Sequence, residues 1–531
     1  MNDLFLDVGI IIFYFISIIG LGLYMGRREE GMEDFALGGR KIPWWAVLAS
    51  IIAAETSAAT FLGLPAEGYR LQNILYVQLM IGTILARLMI ASLFLEPFYH
   101  YRVYTVYEFL EKRFGELSRV AGSIIFLITR VLASGVRVYI AAVVLVIAWK
   151  FLTGESPTLE QYIVAITIMT LLTTIYTMFG GIKAVIWTDL IQASIMFGGA
   201  IFSLLIILHL IPGGWEGIKA GTNNFANFKI FDSGLHGERT LYEAMLSIFR
   251  QEYTIWAALI GYVFLVMATH GTDQDMVQRM LTATDYKRSR MSLIFSGVAD
   301  VPIALAFVSI GIFLYAYFQI VPDPNLPHSP NEIFAYFIIH RMPPGLRGLI
   351  IAGVFATAMG SLSAALNSLA TSFVKDFYAP HIRKNAGEKH HVFVARVMTF
   401  VFSVLLIIVA VLSAYSVLHN PELTIIPIAL GIIGYTYGPL LGMFLLGMVT
   451  RSRGNDTGNL IAMFCGFVTV FILSGTASSA LGWLGLPPLS LPQIAFTWYI
   501  MFGCIVTFLV GVMFRTKFDI RSQLHTRHRF E

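Results

Sequence analysis

Runs of about twenty predominantly apolar residues recur along almost the whole 531-residue chain, and nothing else limits its fold as strongly. At 1.5 Å rise per residue, about 20 helical residues cross a hydrocarbon core of roughly 30 Å. By that measure thirteen spans are expected, near 6–26, 43–63, 74–96, 119–149, 160–180, 184–212, 254–271, 291–320, 346–373, 393–417, 423–449, 457–479 and 492–514. The second is the least apolar and the fourth is overlong. Apolar residues make up 57% of the chain and charged residues 13%, against about a quarter charged in soluble domains. The pattern therefore reads as an all-α, polytopic membrane protein with the lipid bilayer as its first partner.

Other classes find little support. The net charge of +4 is spread over short loops, not gathered in one patch, so no nucleic-acid partner is expected. Cys465 and Cys504 lie in separate apolar runs and suggest neither a disulfide framework nor a metal cluster. No CxxC, HExxH, Walker loop or GxSxG occurs, and no paired carboxylates or nucleophile–base set stands out, so an enzyme is not expected. The N-terminus, MNDLFLD, is acidic, and the run after it has no A-x-A cleavage pattern. It reads as a retained helix and not as a signal peptide, which suits a bacterial inner membrane.

Lys and Arg gather in one set of loops, among them Arg27, Arg40, Lys112, Arg279, Lys287, Arg383 and Arg451. The same side holds the tail with Arg515, Lys517, Arg521, Arg527 and Arg529. The opposite loops hold few, mostly within 213–253. The positive-inside rule then puts the N-terminus outside and the C-terminus in the cytoplasm, with the basic tail on the anionic inner leaflet. The 213–253 loop is too polar for a core of its own, though GERTLYEAMLSIF has room for a short helix.

Ionisable residues at membrane depth are costly and mark candidate sites. Glu55, Arg87, Arg130, Arg137, Asp189 and His270 qualify. Each also has a structural reading: Arg87 and Arg130 pair or snorkel, Asp189 pairs with Lys183 or with a neighbouring helix, and Arg137 pairs with Glu55 or Asp189. In AAETSAATFLGLPAEGY (Ala53–Tyr69), Glu55, Thr56, Ser57, Thr60 and Pro65 share one span. Close packing needs the small residues, but a discontinuous helix that offers carbonyls and hydroxyls to an ion or solute needs the whole set. In GVFATAMGSLSAALNSLATSF (Gly353–Phe373), Thr357, Ser361 and Ser368 share one helix face. Neutral oxygens suit a monovalent cation that must leave again, and sodium is the natural candidate.

Six stretches in order resemble the sodium/solute symporter family: DFALGGRKIPWW (Asp34–Trp45), TVYEFLEKRFG (Thr105–Gly115), FGGIKAVIWTDLIQ (Phe179–Gln192), TDQDMVQRML (Thr272–Leu281), GSLSAALNSLAT (Gly360–Thr371) and GPLLGMFLLGM (Gly438–Met448). They run from about residue 34 to 450. The family includes sodium-coupled transporters of sugars, proline, pantothenate, sialic acid, iodide and monocarboxylates. The resemblance implies a LeuT-like fold of two inverted five-helix repeats, 43–212 and 254–449. Around them would lie an extra N-terminal helix and linker (1–42), the outer loop 213–253, two further helices (450–514) and the tail 515–531.

The resemblance places the main sodium site on the Ala53 and Thr56 carbonyls with Thr357, Gly360 and Ser361. Many relatives have two adjacent hydroxyls where this chain has Gly360 then Ser361; the iodide and monocarboxylate branch also has Gly there. A second ion site, with Asp189, would fall on Gly360, Ser363 and Ala364 and keep one hydroxyl, so a single sodium ion is expected. Glu55, Asp189 and Ser363 remain candidates for a second ion or for coupling. The solute would meet Ser57, Thr60, Gln78, Arg137, Thr269 and His270. Thr269–His270 stands where sugar-transporting relatives have an aromatic pair, which disfavours a sugar, and mid-span Arg137 suggests an organic anion such as a carboxylate. The expected function is sodium-coupled symport of a small organic solute by alternating access, with no oligomer required. The alternatives are a nutrient sensor, for which no signalling domain follows Phe514, and proton coupling through Glu55 or His270.

Overall fold

The apolar runs become helices because a backbone in lipid must satisfy its own hydrogen bonds. The computed structural model describes residues 2–516 apart from 29–30, 156, 236, 238–239, 420–424, 484 and 488–491. The tail from Lys517 onward lies outside the described residues. No strand occurs among the described residues beyond two isolated bridges. The main helices are α1 (Asn2–Met25), α2 (Trp44–Glu55), α3 (Ala58–Leu71), α4 (Leu79–Leu93), α5 (Glu116–Thr153), α6 (Leu159–Leu210) and α7 (Tyr262–Gly271). They continue as α8 (Gln274–Leu281), α9 (Tyr286–Ile320), α10 (Leu346–Ser372), α11 (Glu388–His419), α12 (Ile425–Val449), α13 (Asp456–Leu473) and α14 (Tyr499–Val512).

Among the described residues nine helices are long and apolar enough to cross a membrane, ten if one bent pair counts as a span. The expected thirteen differs for physical reasons. The spans 160–180 and 184–212 form one 52-residue helix, α6, broken at Gly181 (φ 49°, ψ −154°); straight, it would reach about 78 Å, well beyond one bilayer core. The apolar segments 257–271 and 496–512 are shorter than a full span. Large apolar side chains such as Phe13, Ile16, Phe464 and Leu509 point outward, as a lipid belt requires. The interior is mostly apolar and also collects Ser, Thr, Asp and Arg.

Three local features position the site. The span expected at 43–63 is the bent pair, α2 and α3, at 61° to one another. Thr56 (ψ 98°) and Ser57 (ψ 170°) are extended between them, so the last carbonyls of α2 lack the next helical turn. The second half, α3, crosses α9 at glycine contact: a Cβ on Gly311 would lie 1.9 Å from the Pro65 carbonyl oxygen, and one on Gly68 2.1 Å from that of Val308. Finally, the acidic N-terminus has a structural use. Asp7 accepts hydrogen bonds from the Gly345 and Gly348 amides (2.7 and 2.8 Å) and from Arg347 Nε (2.6 Å). It thereby caps α10 and satisfies amides that a helix start leaves open.

The loop expected at 213–253 holds Trp215–Gly221 and Leu241–Arg250 as short helices. The second opens on a reciprocal Thr240–Glu243 capping box.

Candidate functional site

The break between α2 and α3 opens onto a cavity of about 220 Å³, more than ten times the roughly 10–15 Å³ one water needs. Glu55, Thr56, Thr60, Arg137, Thr269 and His270 all line it, although five different helices or breaks supply them. Ser57 and Gln78 do not line it. Ser57 is buried at the start of α3. The Gln78 amide nitrogen donates to the Tyr253 carbonyl (2.6 Å) and its oxygen accepts from the Asp232 amide (3.3 Å). It clasps the 213–253 loop to the start of α4.

The buried charges form two groups. In the first, Arg87 is paired with Glu55 and with Asp300 (2.7 Å), and its other terminal nitrogen donates to Ser296 Oγ (2.6 Å). His270 packs its Nε2 on Glu55 and its Nδ1 on Thr269 Oγ1 (2.9 Å). In the second, Arg130 pairs with Asp273 and, at 3.3 Å, with Asp275; Asp275 also meets Arg279, which reaches Asp189 Oδ2 at 3.1 Å. Expectations are corrected accordingly. Arg279, assigned to a loop by sequence, is fully buried among carboxylates. Of the two partners expected for Asp189, it is the neighbouring helix that supplies one, through Arg279 on α8; Lys183 instead holds Asp34 at 2.6 Å. Arg137 pairs with neither Glu55 nor Asp189. Among the described residues no carboxylate lies within ion-pair distance of it, and it stands near Arg130, Asp273, Asp275 and Tyr437.

Beside the α2 break, α10 presents its small face. Ala54, Met276 and Ala364 pack together. A Cβ on Gly360 would stand 2.9 Å from Gln192 Oε1, 3.3 Å from Asp189 Oδ1 and 3.7 Å from the Ala53 carbonyl oxygen. Position 360 is thus the point where three oxygens from α2 and α6 converge on α10. Two of them, Asp189 Oδ1 and Gln192 Oε1, are buried without a hydrogen-bond donor among the described residues. Orphan acceptors of this kind are rare because they forfeit hydration without replacement; a cation supplies what they lack. Thr357 and Ser361 donate their protons to the Val354 and Ala358 carbonyls (2.8 and 3.1 Å). A hydroxyl so engaged keeps its lone pairs for an ion. Ser363 donates to the Gly360 carbonyl at 3.1 Å.

Sequence reading missed Asp300, Asp273, Asp275 and Gln192. Asp300 had a usable signal, an acid inside the 291–320 span. Gln192 had none, because the sequence does not show that its amide oxygen is buried beside Asp189 Oδ1 without a donor.

The profile of the Sodium:solute symporter family matches residues 35–466. The chain belongs to this family. It is 28% identical over 469 residues to the sodium/sialic acid symporter SiaT of Proteus mirabilis, covering 88% of this chain and 89% of that one. It is also 28% identical over 539 residues to human sodium-coupled monocarboxylate transporter 2, covering 94% and 82% respectively. A solved structure of a sodium-coupled sialic acid symporter, substrate-bound and outward-open, superposes with TM-score 0.79 at 25% identity, over 96% of this chain and 97% of that chain. MHP1, a nucleobase-cation-symport-1 transporter, shares the fold alone, with TM-score 0.53 at 13% identity over 94% and 96% of the two chains. The protein is therefore a multi-pass, LeuT-like, sodium-coupled solute symporter and not an enzyme, and sodium is its coupling ion.

Proposed function

We propose that the protein carries a small organic anion, a carboxylate, inward with sodium across a plasma membrane, with its N-terminus outside. One observation carries the solute class. Of the guanidiniums lining the cavity, Arg87 and Arg130 are matched to carboxylates, whereas Arg137 has none within ion-pair distance among the described residues. An unmatched guanidinium in a low-dielectric cavity is a ready bidentate partner for a carboxylate. The similar proteins named for sialic acid and for monocarboxylates carry solutes with that group, which supports the same reading.

Sodium would bind the Ala53 and Thr56 carbonyls with Thr357, Ser361 and the helix backbone at Gly360. The orphan oxygens of Asp189 and Gln192 stand ready to make up for the hydroxyl that residue 360 lacks. A single ion is the simplest occupancy, with Ser363 outside the set. The residues 43–212 and 254–449 would act as the two repeats that rock about this site. The polar lock of Arg130, Asp273, Asp275 and Arg279 would close the cytoplasmic side while the cavity faces out. Coupling then requires sodium and solute to raise each other's affinity, typically by 1–3 kcal/mol, while the membrane potential adds about 2.3 kcal/mol per charge per 100 mV.

The test is a carboxylate screen by thermal stabilisation, with and without sodium, on wild type and Arg137→Gln. Wild type should show carboxylate binding that requires sodium. The variant should lose roughly 100-fold in solute affinity, the scale of about 3 kcal/mol for a desolvated charged pair, and keep its response to sodium alone. Equal carboxylate affinity in the two proteins overturns the assignment of Arg137.

A further inference from the structure

The cavity has a second charged wall. Glu55, Arg87, His270 and Asp300 come from α2, α4, α7 and α9, and α4 packs on α7 and α9, and α9 on α2. Arg137 belongs to α5, which packs on α10, α11 and α12, and its charged surroundings are Arg130, Asp273 and Asp275. Those of Asp300 are Arg87 and Glu55. The two walls thus differ in make-up as well as in origin: on one, a guanidinium with no carboxylate within ion-pair distance among the described residues; on the other, two carboxylates sharing one guanidinium.

The acidic wall is fixed in place. A Cβ on Gly297 would lie 2.8 Å from Arg87 Cδ, so the glycine leaves room for the Arg87 stem. Arg87 then spends its terminal nitrogens on Glu55, Asp300 and Ser296. Asp300 accepts from Arg87 through Oδ2 at 2.7 Å, and its side chain also meets that of Glu55; among the described residues no backbone N–H or hydroxyl donates to its Oδ1. The Asp300 and Glu55 side chains keep 15% and 16% of their surface open, and both line the cavity. These are acceptors offered to whatever the cavity holds.

We infer that the transported solute is bifunctional: a carboxylate faces Arg137, and at least one N–H or O–H donor on the same molecule faces Asp300 and Glu55. The inference rests on the assignment of Arg137 to a carboxylate. It narrows the solute to amino acids or hydroxy acids in the broad sense and sets plain aliphatic carboxylates aside. A solute without the donor would displace water from charged acceptors and return nothing to them, and sites of that kind discriminate strongly against the analogue that lacks the donor.

The test uses the full-length purified protein in sodium, with matched sets of unsubstituted, hydroxy- and amino-acids of equal chain length, and binding read by thermal shift and calorimetry. Donor-bearing acids should bind at least about tenfold tighter than their unsubstituted partners, the size of one hydrogen bond to a charged acceptor. A lead for the amino set identifies an ammonium, and a lead for the hydroxy set identifies hydroxyls; either supports the inference. Asp300→Asn should shrink the preference for donor-bearing over unsubstituted acids to within about twofold. The wild-type comparison stands even where that variant does not fold. Equal binding of donor-bearing and unsubstituted acids in wild type overturns the bifunctional solute while the Arg137 assignment survives. No sodium-dependent binding of any acid overturns both.

Discussion

Gly360→Ala is the sharpest perturbation of the ion cluster. The new methyl would sit 2.9 Å from Gln192 Oε1, and the oxygen must retreat about 0.5 Å to reach ordinary contact distance. Its restraint is weak, because the Gln192 amide nitrogen reaches Tyr14 Oη only at 3.4 Å. The amide therefore swings aside while the helices stay in place, and alanine in mid-helix offsets part of any strain by up to about 1 kcal/mol. The fold should persist while one oxygen leaves the cluster. A polar contact to a charged partner contributes about 1.5–3 kcal/mol, so the half-saturating sodium concentration should rise roughly 10- to 150-fold. The assay is a sodium titration of thermal stability at constant ionic strength, with the sodium-free melting temperature as the control for folding. A sodium midpoint within about twofold of wild type, in a variant that melts normally, would refute the convergence of these oxygens on a cation.

Two further substitutions test how the site is held. Gly311→Ala puts a methyl 1.9 Å from the Pro65 carbonyl oxygen and 2.6 Å from the Tyr69 amide, both backbone, so α3 and α9 must part; a loss of about 1–3 kcal/mol is expected, and an unchanged melting temperature contradicts it. Arg279→Met removes the cation between Asp189 and Asp275, leaving buried carboxylates less compensated; it should cost about 3–5 kcal/mol in sodium-free thermal unfolding, and wild-type stability there would show that the lock is dispensable.

Most of the spans, a discontinuous helix within Ala53–Tyr69 and the oxygen-rich face of α10 were legible in the sequence because each is local. Apolar length, clustered small and polar residues and hydroxyls at helical spacing carry those signals within a few turns. The pairing of buried charges was not local. Arg87 finds Asp300 213 residues away, and Arg130 finds Asp273 at a separation of 143. Only packing decides which acid meets which base, so mid-span position singled out Arg137 as a solute candidate but left open its pairing with Glu55 or Asp189, and Arg279 was taken for a loop cation. Gln78 shows the opposite limit. Its amide looked available to a solute, but the structure places it where unpaired loop backbone at Asp232 and Tyr253 needed partners.

The central claim is that the small oxygens of α10 and the α2 break hold sodium. Thermal unfolding of wild type and Ser361→Ala, side by side in sodium and in potassium at equal ionic strength, tests it most directly, because an ion bound only by the folded state raises the melting temperature. Sodium-selective stabilisation in wild type that shrinks in Ser361→Ala is the predicted result. Equal stabilisation of the two proteins by sodium would place the ion elsewhere and contradict the account.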